Sequence, residues 1–146
     1  MLLAAHIVVL AALVVAAVSD LARRIIPDTC SLVILGAFAV VSLATPIEFP
    51  AVLANLAASL TLFALGALLF SRGFIGGGDV KLLAALALWV GWGGLPGVLM
   101  AMSLAGGVLA LACLAARRLP LRWGGFLAAK EGIPYGVAIA VAGLLA

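Results

Sequence analysis

The sequence predicts an all-α integral membrane protein with about six transmembrane helices. Apolar residues make up 68% of the 146 residues, charged residues only 9%, and the mean hydropathy is +1.44. A soluble domain carries about 25% charged residues, because water must wet its surface. Lipid is therefore the predicted solvent, and a bilayer accepts only helices or closed barrels. The apolar runs are continuous and lack the alternation of barrel strands, so helices are favoured.

Six apolar runs account for most of the chain, and a spanning helix needs about 20 such residues. In order, the runs cover residues 2–18, 29–44, 51–70, 80–92, 95–116 and 133–146. The first run lacks the basic start of a cleavable signal peptide, so it is predicted to remain as a helix. The segments between the runs are too short for a soluble domain, so residues 1–146 are predicted to form a single transmembrane domain.

Charged residues, prolines and glycines mark the ends of these runs. They are Arg23 and Arg24 after the first run, Pro27 and Pro46 around the second, Arg72 and a glycine cluster after the third, Gly93, Gly94 and Pro96 after the fourth, Arg117 and Arg118 after the fifth, and Pro134 at the start of the sixth. All eight Lys and Arg residues follow the first, third or fifth run. The positive-inside rule therefore predicts a cytoplasmic basic side and both termini outside. This topology also explains the pI of about 9.4, so nucleic-acid binding is not predicted.

Two of the five acidic residues stand out by position. Asp20 is predicted at the cytoplasmic end of the first helix and Asp79 at the start of the fourth. An ionisable group at membrane depth is costly and by default marks a functional site. The alternative is that both lie among lipid headgroups, paired with Arg24 and Lys81. Asp28 is predicted to be the N-cap of the second helix.

Three consecutive glycines, Gly76, Gly77 and Gly78, precede Asp79. Inside a helix each glycine costs about 1 kcal/mol relative to Ala. The segment is therefore predicted to be an unwound, water-reachable break before the fourth helix. Asp79 would then lie near a helix N-terminus, where the helix dipole favours a negative charge. The spacing of a phosphate-binding Walker loop is absent, so that interpretation is weak.

Two carboxylates brought together cannot both ionise easily, so one keeps its proton while the other is charged. Such a pair can activate water with one member and protonate a leaving amine with the other. Neither a metal nor a cofactor is predicted for this chemistry. His6, the only histidine, is predicted near the outer face, which argues against a Ser–His site. Cys30 and Cys113 lie far apart in apolar runs and indicate neither a disulfide framework nor a zinc site.

Three stretches carry a resemblance to a known family: residues 19–28 (SDLARRIIPD), 76–85 (GGGDVKLLAA) and 133–136 (IPYG). They resemble, in matching order, the signature segments of the type IV prepilin peptidases, membrane aspartyl proteases of the GxGD type. The last stretch departs from the family pattern, because Val137 stands where a second proline is usual. Larger members carry a cytoplasmic domain with CxxC zinc motifs, and many also methylate the new N-terminus. This sequence lacks those cysteines and resembles the short, peptidase-only form of Flp/Tad-type pili.

The resemblance implies that Asp20 and Asp79 are a catalytic pair. The implied substrate is a pilin-like precursor, cleaved between its basic leader and its apolar helix at the cytoplasmic face of a bacterial inner membrane. The alternative is that the protein is one of the archaeal relatives, which process preflagellins. The resemblance also implies supporting residues. Gly76, Gly77 and Gly78 would admit the substrate backbone, and Lys81 would orient Asp79 or simply lie at the interface. In the last segment, Pro134, Tyr135 and Gly136, Tyr135 would form a hydrogen bond near the site or anchor the interface.

Two other classes of function stay open from the residues alone. One is a small ion transporter or channel subunit whose paired carboxylates bind cations at a broken helix. The other is a structural membrane subunit of a secretion assembly, in which the aspartates only cap helices. The oligomeric state is left open.

Overall fold

The computed structural model describes residues 2–118 and 135–145. These residues form five helices: α1 (Leu2–Arg23), α2 (Asp28–Ala44), α3 (Phe49–Ser71), α4 (Gly77–Arg118) and α5 (Tyr135–Leu145). The prediction of an all-helical chain is confirmed for these ranges. The prediction that Arg117 and Arg118 lie in the basic loop after the fifth apolar run is wrong, because α4 continues through them to Arg118. The rest of that predicted loop, and Pro134 with it, lies outside the described residues.

The first helix extends beyond its apolar run. It continues through Asp20 to Arg23, and it ends where Arg24 adopts a φ of +55°. The N–H of Arg24 donates to the carbonyl of Asp20 at 3.0 Å, which is the left-handed way of closing a helix. Pro27 then precedes α2, whose start at Asp28 is one residue from the predicted one. Asp20 consequently lies in the last turn of α1.

The fourth helix is interrupted at Gly91, which has a φ of 62° and a ψ of −171°. The interruption separates residues 77–90 from residues 92–118, close to the boundary predicted between the fourth and fifth apolar runs. Helices α1, α3 and α4 are long and apolar enough to cross a membrane, and α2 and α5 are shorter apolar helices. These properties fit an integral membrane protein. The total of six spans and the outside position of both termini stay predictions.

Helix α4 is the centre of the bundle, in contact with α2, α3 and α5, while α1 packs on α2 and α5. Glycines allow two of these contacts to be close. A Cβ at Gly66 of α3 would come within 2.7 Å of Val80 in α4, and a Cβ at Gly143 of α5 within 2.6 Å of Leu13 in α1. Small residues at helix contacts are typical of membrane proteins, because they let backbones approach. This packing brings the end of α1 to the beginnings of α4 and α5.

Candidate active site

Asp20 is held by the N-terminus of another helix. It is 7% exposed and is the only charged side chain among the buried residues of the described part of the chain. The backbone N–H groups of Gly136 and Val137, in the first turn of α5, donate to its carboxyl group, and the charge of Arg24 also acts on it. N–H groups in a first turn have no partner within their own helix, and the helix dipole adds to their attraction for a carboxylate. These donors and the charge of Arg24 offset part of the cost of burying Asp20.

Asp79 lies at a second helix N-terminus, as predicted. It is the third residue of α4, and its carboxyl group accepts a hydrogen bond from the N–H of Gly76. A carboxylate that reaches back from this position to the residue before the helix forms half of a capping box. A Cβ at Gly76 would come within 2.8 Å of Asp79 Oδ2. The absence of a side chain at Gly76 therefore lets the carboxyl group fold back onto the backbone.

The unwound segment before α4 is shorter than the sequence suggested. It covers residues 72–76, whereas Gly77 and Gly78 already belong to the first turn of α4, so the expectation that all three glycines are unwound is wrong. The physical reason is close packing at this turn. A Cβ at Gly78 would come within 3.0 Å of Ile26 Cβ, and a Cβ at Gly77 within 3.4 Å of the Phe70 ring. The role of these glycines in admitting a substrate stays a prediction.

The two carboxyl groups lie close enough to interact electrostatically. Each keeps one buried oxygen, Asp20 Oδ2 and Asp79 Oδ1, that has no hydrogen-bond partner among residues 2–118 and 135–145. Buried polar atoms of proteins are nearly always bonded, and the exceptions ask for an explanation. Two neighbouring carboxyl groups, each held by backbone donors and each with an unused oxygen, can share one proton and bind a polar reactant.

Ile26 joins the two helix N-termini, and sequence reasoning did not single it out. It is 8% exposed. It packs against Gly78, next to Asp79, and a Cβ at Gly136 would come within 2.7 Å of its Cδ1 and 2.9 Å of Asp20 Oδ2. The signal that could have found it is the Ile–Pro step at the end of the first resemblance segment. Ile26 thus fixes the spacing between the turns that hold the two carboxyl groups.

Lys81 forms an ion pair with Asp28. Its Nζ donates to both carboxylate oxygens at 2.8 Å, and the two side chains are 48% and 62% exposed. The prediction that Asp28 is the N-cap of α2 is wrong, because Pro27 holds that position and Asp28 is the first residue of the helix. A carboxylate in the first turn is still favoured by the helix dipole. The predicted action of Lys81 on Asp79 stays untested.

The remaining predicted residues fall in different places. Gly136 lies against Asp20, as described above. The Tyr135 ring lies beside Gly106 of α4, where an added Cβ would be 3.7 Å from the ring, an ordinary van der Waals distance. His6 bonds the carbonyl of Leu2 and lies 14 residues before Asp20 on the same helix, about 21 Å along its axis. The two cysteines are buried and free.

Long apolar helices with two carboxyl groups at their ends define an integral membrane protein with an acidic site. The chain belongs to the type IV leader peptidase family, whose model matches residues 7–111. The predicted membership is thereby confirmed.

Two curated relatives carry the same printed name, prepilin leader peptidase/N-methyltransferase. The protein from Burkholderia pseudomallei (strain 1026b) is 38% identical over 69 residues, which are 47% of this chain and 20% of that protein. The protein from Aeromonas salmonicida (strain A449) is 37% identical over 79 residues, 54% of this chain and 24% of that protein. The aligned part thus spans about a fifth to a quarter of the length of these relatives. No solved structure matches the chain.

Proposed function

We propose that the protein is an aspartyl endopeptidase that removes the basic leader peptide from type IV prepilin or pseudopilin precursors. The observation that carries the proposal is the approach of Asp20 and Asp79 from two helices, each held by backbone N–H donors and each with a buried unused oxygen. The proposal is limited to peptide hydrolysis, and the methyltransferase activity in the names of the two relatives is not extended to this chain.

Hydrolysis by this pair proceeds by general acid–base catalysis. The ionised carboxylate takes a proton from water while the water oxygen bonds to the carbon of the scissile carbonyl. The protonated carboxyl group gives its proton to the carbonyl oxygen, and a tetrahedral diol forms. The diol then collapses: its hydroxyl gives a proton to the carboxylate that is now ionised, the carbon–nitrogen bond breaks, and the leaving amine takes the proton from the other carboxyl group. The pair returns to one protonated and one ionised group, so the cycle balances without any other reactant.

The position of the pair supports cleavage at the cytoplasmic face of the membrane. Asp20 lies in the last turn of α1, directly before the basic residues Arg23 and Arg24. By the positive-inside rule this end of the helix faces the cytoplasm, and the family points to the inner membrane of a bacterium. A precursor whose basic leader stays in the cytoplasm would present the bond after the leader at this depth.

The test is cleavage of a co-expressed Flp-type precursor by the wild type, Asp20→Asn and Asp79→Asn. Asn keeps the shape of the side chain but cannot take a proton from water, so each variant should lose cleavage by at least about 10³-fold, as triad members do elsewhere. Glu48→Gln is the matched control, because it removes a carboxylate before α3, away from the pair. Equal amounts of protein in the membrane exclude a folding defect.

The outcomes separate the three classes of function. Loss in both aspartate variants and normal cleavage by Glu48→Gln establish the peptidase. Normal cleavage by either aspartate variant removes that residue from the mechanism. If the wild type cuts none of several precursors, the aspartates are tested instead for cation binding, and an effect on stability alone would leave a structural role.

A further inference from the structure

The connection between α1 and α2 lies against the first turns of α4 and α5. It covers residues 24–27, between the last residue of α1 and the first residue of α2. Pro27 disfavours a helical backbone at the residue before it, Ile26, and the N–H of Arg24 is bonded to the carbonyl of Asp20 at 3.0 Å. Ile26 is therefore attached to the end of α1 that carries Asp20 by a short segment with little conformational freedom.

Ile26 contacts the two turns with different atoms. A Cβ at Gly78, in the first turn of α4, would come within 3.0 Å of Ile26 Cβ and 3.4 Å of its carbonyl oxygen. A Cβ at Gly136, in the first turn of α5, would come within 2.7 Å of Ile26 Cδ1. The side chain is only 8% exposed, so the protein itself fills the space around it. The β-carbon of Ile26 thus limits the approach of α4, and its δ-carbon limits the approach of α5.

Each of these turns holds one of the two carboxyl groups. The first turn of α5 supplies the N–H groups of Gly136 and Val137 that donate to Asp20, and the first turn of α4 contains Asp79. The position of α5 relative to α1 therefore decides how well the two donors reach Asp20. The position of α4 decides how far Asp79 lies from it. A single side chain is in contact with both turns.

Helix α5 makes a second close contact with α1, at the other end of both helices. A Cβ at Gly143 would come within 2.6 Å of Leu13 Cδ1, and Leu13 is fully buried. Leu13 is seven residues before Asp20, and Gly143 is seven residues after Gly136, which is about 10 Å along each helix axis. Leu13 thus packs against a glycine of α5 in the same way as Ile26, but away from the carboxyl pair.

We infer that Ile26 is a positioning residue of the proposed catalytic pair, and that the reach of its δ-carbon matters more than its apolar volume. The inference rests on the proposed function. Cδ1 of Ile26 holds the first turn of α5 where its N–H groups donate to Asp20. Cβ and the carbonyl oxygen of Ile26 hold the turn of α4 that carries Asp79. Ile26 acts through these two turns and not on the reacting atoms.

Kinetics of Ile26 variants separate reach from volume. Ile26→Val removes Cδ1 but keeps Cβ, so kcat for precursor cleavage should fall about 3- to 10-fold with KM within about twofold, because displacements below 1 Å already matter at a catalytic group. Ile26→Leu keeps a carbon at the δ position and should retain at least about half of the wild-type kcat. Equal amounts of protein in the membrane exclude a folding defect.

Two matched controls accompany these variants. Ile25→Ala changes the neighbouring isoleucine, which is 67% exposed, and Leu13→Val removes δ-carbons at the distant contact of α5. Both should keep kcat within about twofold of the wild type. A wild-type kcat in Ile26→Val, equal losses in Ile26→Val and Ile26→Leu, or an equal loss in Leu13→Val would overturn the inference.

Amide hydrogen exchange of the full chain in detergent micelles tests the positioning without relying on cleavage. In Ile26→Val the N–H groups of Gly136 and Val137 should exchange several-fold faster than in the wild type, because their bonds to Asp20 open more often. In Leu13→Val the exchange of these two groups should not change. Unchanged exchange in Ile26→Val, or an equal acceleration in Leu13→Val, would contradict the role of Ile26.

The positioning role and the proposed function fail separately. If the wild type cuts the precursor and the Ile26 variants do not behave as described, the peptidase stands and the positioning role is wrong. If the wild type does not cut, the proposed function fails first, and the exchange rates alone decide whether Ile26 holds the donors of Asp20.

Discussion

Helix α4 contains two irregular regions, and both depend on glycine. At its beginning, Gly76 precedes the helix and the carboxyl group of Asp79 bonds back to it. In its middle, Gly91 leaves the helical conformation with a positive φ, and the side-chain amide of Asn55 from α3 lies against it. The first region gathers backbone donors around a carboxylate. The second turns the chain, next to a neutral amide.

The difference shows how to separate a break that holds a charged group from a break that bends an apolar chain. A glycine next to an ionisable residue and a helix N-terminus holds charge, whereas a glycine with a positive φ inside a run supplies a conformation that other residues reach only with strain. Changes at the first region should affect turnover, and changes at the second should affect stability.

Among variants that keep both aspartates, the largest effect on turnover is expected from Gly136→Val. A Cβ at this position would come within 2.7 Å of Ile26 and 2.9 Å of Asp20 Oδ2, so α5 must move away from the carboxyl group. A displacement of about 1 Å at a catalytic group can reduce turnover about 100-fold. We expect a loss of that size in kcat/KM for precursor cleavage. Gly107→Ala is the control, since no described atom lies within 4 Å of its Cβ position, and equal losses in both variants would contradict the prediction.

Gly91→Ala should chiefly reduce stability. A non-glycine residue in this sparsely populated conformation costs about 1–3 kcal/mol, and the added Cβ would collide with Asn55. The free energy of unfolding in detergent micelles should fall by at least that amount, while the folded fraction keeps its kcat within about twofold. Gly97→Ala serves for comparison, because its Cβ would meet no described atom within 4 Å. Addition of Asn55→Ala should restore part of the loss; a Gly91→Ala protein as stable as wild type would show that the break is not required.

A smaller effect is expected from the Asp28–Lys81 ion pair. Both side chains are about half exposed, and exposed pairs contribute roughly 0.2–1 kcal/mol. Lys81→Ala should lower kcat/KM by only a few-fold, because the turn that holds Asp79 loses one of several contacts with the start of α2. The exchanged variant, Asp28→Lys with Lys81→Asp, should recover part of that loss. Failure of the exchange to recover any activity, with a normal amount of protein, would indicate that Lys81 acts on Asp79 instead.

The smallest effect is expected from His6→Ala. The His6 ring meets Trp89 edge-on at a centroid distance of 5.2 Å, and such pairs contribute about 0.5–1.5 kcal/mol beyond their buried area. Stability should fall by no more than this, and the rate of cleavage should be unchanged. The pH–rate profile of the variant should be identical to that of the wild type. A shifted profile would indicate that His6, the only histidine, takes part in cleavage.

Much of the architecture was predictable because membrane helices follow directly from apolar runs. The bounds of α2 differ from the prediction by one residue at most, and Asp79 lies at the helix N-terminus where the glycines placed it. The end of α1 was set too early, because Asp20 looked like a boundary although its neighbours continue the helix. Charge alone does not end a helix when a later residue closes it.

Contacts between distant helices were less predictable. The partner of Lys81 is 53 positions away, and this pairing depends on how α2 and α4 pack, which no local pattern encodes. For the same reason Ile26 looked like any other apolar residue. Ile26 contacts two glycines on different helices, and such contacts are known only once the helices have been placed in the bundle.

The backbone groups that face Asp20 come from α5, whereas Asp20 itself is in α1. During translation α1 enters the bilayer before α5 has been made. A nascent chain therefore carries Asp20 without the N–H groups of Gly136 and Val137. The site proposed for hydrolysis is therefore completed only when α5 docks against α1.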